Sequence, residues 1–158
     1  LRDAILDDAY SRCDFAAVTP AETNSEVLAK FLNDSELFKF LNLSLVYIED
    51  QIHIRLDPIE DRHRGGSTGD SVNGAVVAAI CDIAVGATIG HSRHSATTGS
   101  AVGRLDIKMR KPIRGNYCTA VARIKKQAKN LVYATVTFFD DQGNRCVEAE
   151  GTVFMKTI

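Results

Sequence analysis

Two hydrophobic periods run along the chain and divide it into helical and extended parts. Val27, Leu28, Phe31 and Leu32 recur at helical spacing, as do Leu37, Phe38 and Leu41. Asn33-Asp34-Ser35 between them predicts a break with an N-cap. Residues 1–42 therefore read as polar-faced helices, with Pro20 at the start of the first or in the loop before it. From residue 43 the period changes to two. Val46 and Ile48 alternate, Asp50-Gln51 interrupt, and Ile52, Ile54 and Leu56 resume against His53, Arg55 and Asp57. That pattern predicts a strand hairpin with one face buried. Residues 58–72 are polar and Gly-rich, hence loop.

Residues 74–90 are apolar on every side of the helical wheel, with one charge, Asp82. Such a helix is buried. Its shortness and central carboxylate make it a poor transmembrane span. Asn73 or Ser71 caps its start and Gly90 ends it. Beyond it the period returns to two. Ala101, Gly103, Leu105, Ile107 and Met109 form one face of a strand; Cys118, Ala120, Ala122 and Ile124 form another; Val147, Ala149, Gly151, Val153 and Met155 a third. Residues 131–139 are rich in β-branched and aromatic residues. Turns fall at Pro112–Gly115 and Asp140–Asn144. Connections this short exclude parallel crossovers, so the strands form antiparallel meanders. The predicted class is α+β: an antiparallel sheet of five or six strands wrapped around one long buried helix, about 73–90, with extra N-terminal helices. Residues 1–36 read as an N-terminal extension and 37–158 as the main domain.

Composition narrows the class without changing it. A chain of 158 residues, 45% hydrophobic and 25% charged, is one ordinary globular domain. Disorder, a disulfide-dense miniprotein and a large two-domain enzyme are excluded. Net charge is −1, but the charge is not evenly spread. Arg104, Lys108, Arg110, Lys111, Arg114, Arg123, Lys125, Lys126 and Lys129 stand in one stretch against a single acid, Asp106. A local basic stripe on a near-neutral protein suits a small anionic ligand better than a long polyanion. It also lacks the interleaved aromatics of a single-strand nucleic-acid platform. Its bland alternative is the solvated face of two strands. The four cysteines (Cys13, Cys81, Cys118, Cys146) make no CxxC pair and read as reduced thiols of a cytoplasmic protein. The first residues carry no signal-peptide pattern, and no membrane association is expected.

The chemistry converges on the apolar helix. A carboxylate amid Ile80, Cys81, Ile83, Ala84 and Val85 is costly unless paired or solvated. Asp82 therefore either pairs with a basic strand residue, or caps a neighbour, or works as a general base or nucleophile. Asn73-Gly74-Ala75 sets unpaired backbone N–H groups beside a Gly-rich loop, as an ordinary capped end or as an oxyanion site. Gly74 and Asp82 lie about 12 Å apart along a helix axis. One helix cannot present both to one carbonyl. If both act, they come from two copies of the chain, at the interface of a symmetric dimer.

Other motifs are weaker. Gly65-Gly66-Ser67-Thr68-Gly69 matches G-x-S-x-G, but no buried strand precedes it, as a nucleophile elbow requires. The same glycines lack the Lys of a P-loop. His91 and His94 have no third ligand in reach, so no metal is expected.

These residues resemble the hotdog-fold acyl-CoA thioesterases of the phenylacetate-pathway (PaaI-like) type, over roughly residues 37–156. Asn73-Gly74-Ala75 followed by Asp82 is similar to the family's His-Gly-Gly with an Asp nine residues after the His. Lys111-Pro112-Ile113-Arg114-Gly115 is similar to its "RPxRG"-type turn, and Asp141-Gln142-Gly143 followed by Ala149-Glu150-Gly151-Thr152 fits its closing hairpin. The resemblance implies a hotdog fold, an acyl-CoA substrate, a homodimer or dimer of dimers, and no cofactor. It implies Asp82 as base or nucleophile and the Gly74 N–H of the other subunit as donor to the thioester carbonyl. Asn73 stands where the family usually has His, Ala75 in place of its second Gly, and Ser67 about where many members carry Asn or Gln. Lys111, Arg114 and Lys126 are the expected contacts to CoA phosphates. A hotdog module that binds acyl ligands without turnover is the alternative. A hydratase of the same fold would need a His near position 73, which is absent.

Overall fold

The computed structural model describes residues 24–66, 69–92 and 97–157. Helices α1 (Asn24–Asn33) and α2 (Glu36–Phe40) precede the hairpin β1 (Leu43–Ile48) and β2 (Gln51–Leu56). A 3-10 turn, Asp61–His63, leads to α3 (Gly74–Ala87), which continues as a 3-10 turn, Thr88–His91. Strands β3 (Thr97–Met109), β4 (Cys118–Ala128), β5 (Leu131–Asp140) and β6 (Arg145–Thr157) follow. The expected helical part of residues 1–23, Pro20 included, lies outside the described residues, as do Cys13 and His94. Ser35 caps α2 by accepting from the Phe38 N–H at 3.4 Å.

The six strands form one antiparallel sheet in the order β1-β2-β4-β5-β6-β3. The meander expectation holds for β4 to β6 and fails for β3. That strand lies at the far edge and, among the described residues, pairs only with β6. The connection 110–117 crosses the end of the sheet to reach β4, pinned where the Arg110 and Lys111 N–H groups donate to the Cys146 carbonyl at 2.9 and 3.0 Å. The other edge, β1, is partly closed by a side chain. Asn33 donates to the Leu45 carbonyl at 2.9 Å and accepts from the Leu45 N–H at 2.8 Å.

One side of α3 (Val77, Ile80, Cys81, Ala84, Val85) packs on the inner face of the sheet, against residues such as Ile54, Ala122, Val136 and Val153. Burying each of the larger aliphatic side chains contributes roughly 1.5–3 kcal/mol. Gly151 permits the close approach, since a Cβ there would stand 2.7 Å from the Val85 side chain. The helix is thus not buried all round. Ala75 and Asp82 are exposed on its other side.

Two strand phases differ from the expected ones. In β1 it is Leu43 and Leu45 that are buried, not Val46 and Ile48. Directly opposed residues share a face, and the register sets Leu45 against Ile54 and Tyr47 against Ile52, so β2 dictates the phase. In β3 the register shifts between Val102 and Arg104, making Gly103 an extra residue. Val102, Leu105 and Ile107 turn toward the core, while Ala101, Gly103 and Met109 are exposed. The Phe154 ring occupies the place a Cβ on Gly103 would take. The inward faces of β4 (Cys118, Ala120, Ala122) and β6 (Val147 to Met155) are as expected.

Candidate active site

The site grows from the start of α3. Asn73 is its N-cap, and its Oδ1 accepts from the Ala75 N–H at 2.9 Å. The first N–H groups of a helix have no intrahelical acceptor. Among the described residues nothing accepts from the Gly74 N–H. The helix dipole and this free donor favour negative charge at one point. The Met109 thioether lies over it: a Cβ on Gly74 would stand 3.3 Å from the Met109 Cε.

The loop before the cap is held by its backbone and one arginine. The Asn73 N–H donates to the His63 carbonyl at 2.8 Å, and the Val72 N–H to the Ile113 carbonyl at 2.9 Å. Arg64 pairs with Val72 as an isolated bridge. Its guanidinium donates to the carbonyls of Asp70 at 2.6 Å and Gly115 at 2.9 Å, with a longer contact to Ile59 at 3.5 Å. It therefore ties the turn after β2, the glycine loop and the β3–β4 connection into one unit. Gly65, at φ +147°, lets the Asn73 amide lie against the loop, since a Cβ there would be 2.9 Å from Nδ2.

Two titratable groups anchor the same unit. His63 is fully buried; its Nδ1 accepts from the Glu60 N–H at 2.9 Å, and its Nε2 has no partner among the described residues. Burial, with Arg62 beside it, pushes its pKa down. Arg114 donates to the Asp70 carboxylate at 2.7 Å and holds that carboxyl below the usual range.

Asp82 lies two turns beyond Gly74, about 12 Å along the axis. Expected amid apolar neighbours, its side chain is instead exposed, because Cys81, Ala84 and Val85 project toward the sheet on the other side of the helix. No described basic side chain pairs with it. Gly86, one turn on along the same helix face, lies near Val102 of β3. That face of α3 therefore opens toward the β3 edge of the sheet.

The remaining expected residues divide by position. Ala75 is exposed beside the cap, and Arg114 joins the loop through Asp70. Lys111 is exposed on the β3–β4 connection. Lys126 lies on the face of the sheet turned away from α3, remote from the helix start. Ser67 lies outside the described residues. His91 packs against the Tyr47 ring at 4.6 Å, and no described group of three side chains could hold a metal. Cys81 and Cys118 are buried free thiols pushed up to about 12, which makes them poor nucleophiles. Arg64 and His63 carry no periodic or motif signal that would single them out in the sequence, and the period that includes Met109 marks it as a strand residue, not as a neighbour of Gly74.

The family model described as the thioesterase superfamily matches residues 69–147, from the glycine loop into β6. No curated protein sequence matches the chain. Among solved structures, the chain is similar to the PaaI protein of the Escherichia coli phenylacetic acid degradation operon. The TM-score is 0.67 at 14% identity, over 80% of this chain and 88% of that one. A thioesterase family protein from Silicibacter pomeroyi aligns with TM-score 0.73 at 14% identity, over 85% and 99% of the two chains. A Shewanella oneidensis protein related to the thioesterase superfamily gives 0.73 at 16%, over 88% and 100%. At such identities the likeness is one of fold, and that fold is the hotdog.

Proposed function

The chain belongs to the thioesterase superfamily, and from that premise we propose that it hydrolyses acyl-CoA thioesters to the free acid and CoA. The observation that carries this reading is the free Gly74 N–H at the capped start of a helix that also bears an exposed, unpaired carboxylate, Asp82.

In this reading the thioester oxygen accepts from the Gly74 N–H. Asp82 removes a proton from water as the water oxygen attacks the carbonyl carbon, or it attacks that carbon itself to form an acyl anhydride, which water hydrolyses to the free acid once CoA has left. The carbonyl electron pair moves onto oxygen, where the amide and the helix dipole stabilise it. A donor so placed is worth about 3–4 kcal/mol. Collapse of the tetrahedral species expels the CoA sulfur, which leaves as thiolate or takes a proton. Asn73 caps the helix and offers a hydrogen bond, but an amide does not shuttle protons.

The 12 Å between Gly74 and Asp82 calls for a second copy. The edge of β3, thirteen residues long and without a partner strand among the described residues, supports this. An open edge of that length is a template for another strand. A two-fold partner along it would lie beside the face of α3 that carries Asp82. A dimer, or a dimer of dimers, then holds two sites, each built from both chains. Lys111 and Arg114 are the CoA phosphate contacts in this scheme. The reaction needs water and no cofactor. The buried free thiols fit a reducing compartment such as the cytoplasm.

A thiol-release assay on acetyl-, hexanoyl-, palmitoyl- and aryl-CoA tests the proposal. Release of CoA from at least one of them, abolished in Asp82→Asn, supports it. A ligand-induced thermal shift with no release from any of the four would instead indicate the non-catalytic acyl-binding module, which Asn73 in place of His favours.

A further inference from the structure

The face of the sheet turned away from α3 carries a second feature, a trough of about 900 Å³. Its volume falls in the range of small-molecule sites. Six basic residues line it against three acidic ones. Two of the three carboxylates are already engaged. Glu150 pairs with Lys125 at 3.0 Å, and Glu148 with Arg110 at 2.9 Å and Arg145 at 3.4 Å. Arg104, Lys108, Arg123 and Lys126 form no ion pair among the described residues.

The strand register sorts this face into rows. One row runs Arg104, Thr152, Tyr133, Lys126 across four adjacent strands. It holds two cations and two hydroxyls and no carboxylate. Its ends are three strand spacings apart, about 14 Å between backbones, a span that two long basic side chains close over a bound group. The next row toward β3's C-terminal end contains Asp106 opposite Glu150, so the donor-only region is short. On the other side of the row the surface is aromatic and apolar. Phe154 faces Leu131 and is a diagonal neighbour of Tyr133, and both rings are exposed, at 52% and 39%. The register thus sets two aromatic rings beside the basic stripe, where the linear sequence keeps them apart.

One short run of cationic donors next to two exposed rings matches a ligand with a short run of phosphates and one ring. Asp106 and Glu150, at the β3 and β6 positions of the adjoining row, would oppose a long polyanion continuing past Arg104. We propose that this end of the trough binds a nucleoside polyphosphate, its phosphates between Arg104 and Lys126 and its base against Tyr133, which lines the trough, and Phe154 just outside it. The site lies across the sheet from Gly74 and Asp82, so it is separate from the proposed thioester site.

Calorimetric titration of the full chain with ATP, and separately with inorganic tripolyphosphate, tests this at low salt. Arg104→Ala with Lys126→Ala is expected to weaken both by about tenfold or more, as loss of charged hydrogen bonds does. Tyr133→Ala with Phe154→Ala is expected to weaken ATP by about fivefold or more and leave tripolyphosphate unchanged, because stacking is lost and charge is not. Lys39→Ala, on α2 and in neither site, is expected to leave ATP binding unchanged. These are exposed positions, and circular dichroism confirms folding of each variant. The proposal is overturned if ATP does not bind at millimolar concentration, or if removing Arg104 and Lys126 has no effect. It is also overturned if removing the rings weakens tripolyphosphate as much as ATP. A single-stranded oligonucleotide bound more tightly than ATP would overturn it in favour of nucleic acid. Loss of a tetramer in the Arg104 and Lys126 variant, with no ATP binding to the native chain, would overturn it in favour of a contact between copies.

Discussion

Arg64 Nη2 donates to the Gly115 carbonyl at 2.9 Å, a contact that spans 51 residues of chain. With the bond from Nη1 to the Asp70 carbonyl, it clamps the loop that ends in the helix cap to the connection that ends in β4. Arg64→Ala is therefore expected to destabilise the fold by about 1–3 kcal/mol, measured by urea unfolding, because several carbonyls lose a charged donor. Arg64→Lys is expected to restore only part, since an ammonium cannot present the planar fork. An equal stability for Arg64→Ala and the native chain would show that the clamp is not needed.

Asp82→Asn separates chemistry from folding. The side chain is exposed and pairs with no described basic residue. The substitution is expected to leave the melting temperature and the oligomer mass unchanged while turnover falls about 10²- to 10⁴-fold. Full retained turnover would remove Asp82 from the mechanism.

Asn73 holds the start of α3 through its bond to the Ala75 N–H. Asn73→Ala is expected to cost about 1 kcal/mol, and Asn73→Asp, which keeps the acceptor, much less. Thermal denaturation of the pair, with kcat read alongside, checks whether the cap or the amide donor matters to turnover. A fall in kcat in Asn73→Asp without loss of stability would assign a role to the amide N–H.

Two groups of the same loop contribute to acid stability. The His63 pKa lies below its ordinary 6.5 in the fold, so the unfolded chain binds its proton first. Stability from this source is present above that value and lost as pH falls through it toward the folded pKa. The Asp70 carboxyl is likewise lowered, by Arg114; its contribution is present above the unfolded value of about 3.8 and lost as pH falls through the folded one. Melting temperatures from pH 8 to pH 3 are expected to decline in two stages. His63→Gln is expected to flatten the upper stage, and Asp70→Asn the lower. An unchanged upper stage in His63→Gln would detach it from His63.

Much of this architecture is legible in the local sequence, and the exceptions have physical causes. The alternation in β2, β4 and β6, the Asn73 cap, and the turns at Gly115 (φ +95°) and Gly143 (φ +81°) are local properties, set by side-chain period and backbone freedom. The phase of β1 is not local, because Val46 and Ile48 are as apolar as their neighbours and only pairing with β2 orients them. Nor is the phase of β3, where one inserted residue, Gly103, reverses the alternation. The apolar run of α3 announces a packed helix, but not which side meets the sheet.

The spacing of Gly74 and Asp82 follows from the sequence alone, since one helix carries both and its rise is constant. So do the cap that precedes them and the short antiparallel connections between strands. Only tertiary structure decided that Asp82 faces outward and that β3 lies beyond β6 at the edge of the described sheet. It alone joined Arg64 to Gly115 and set Tyr133 and Phe154 beside Arg104 and Lys126. Each of these depends on strand order and register, which arise from contacts between residues far apart in the chain and leave no period behind in the sequence.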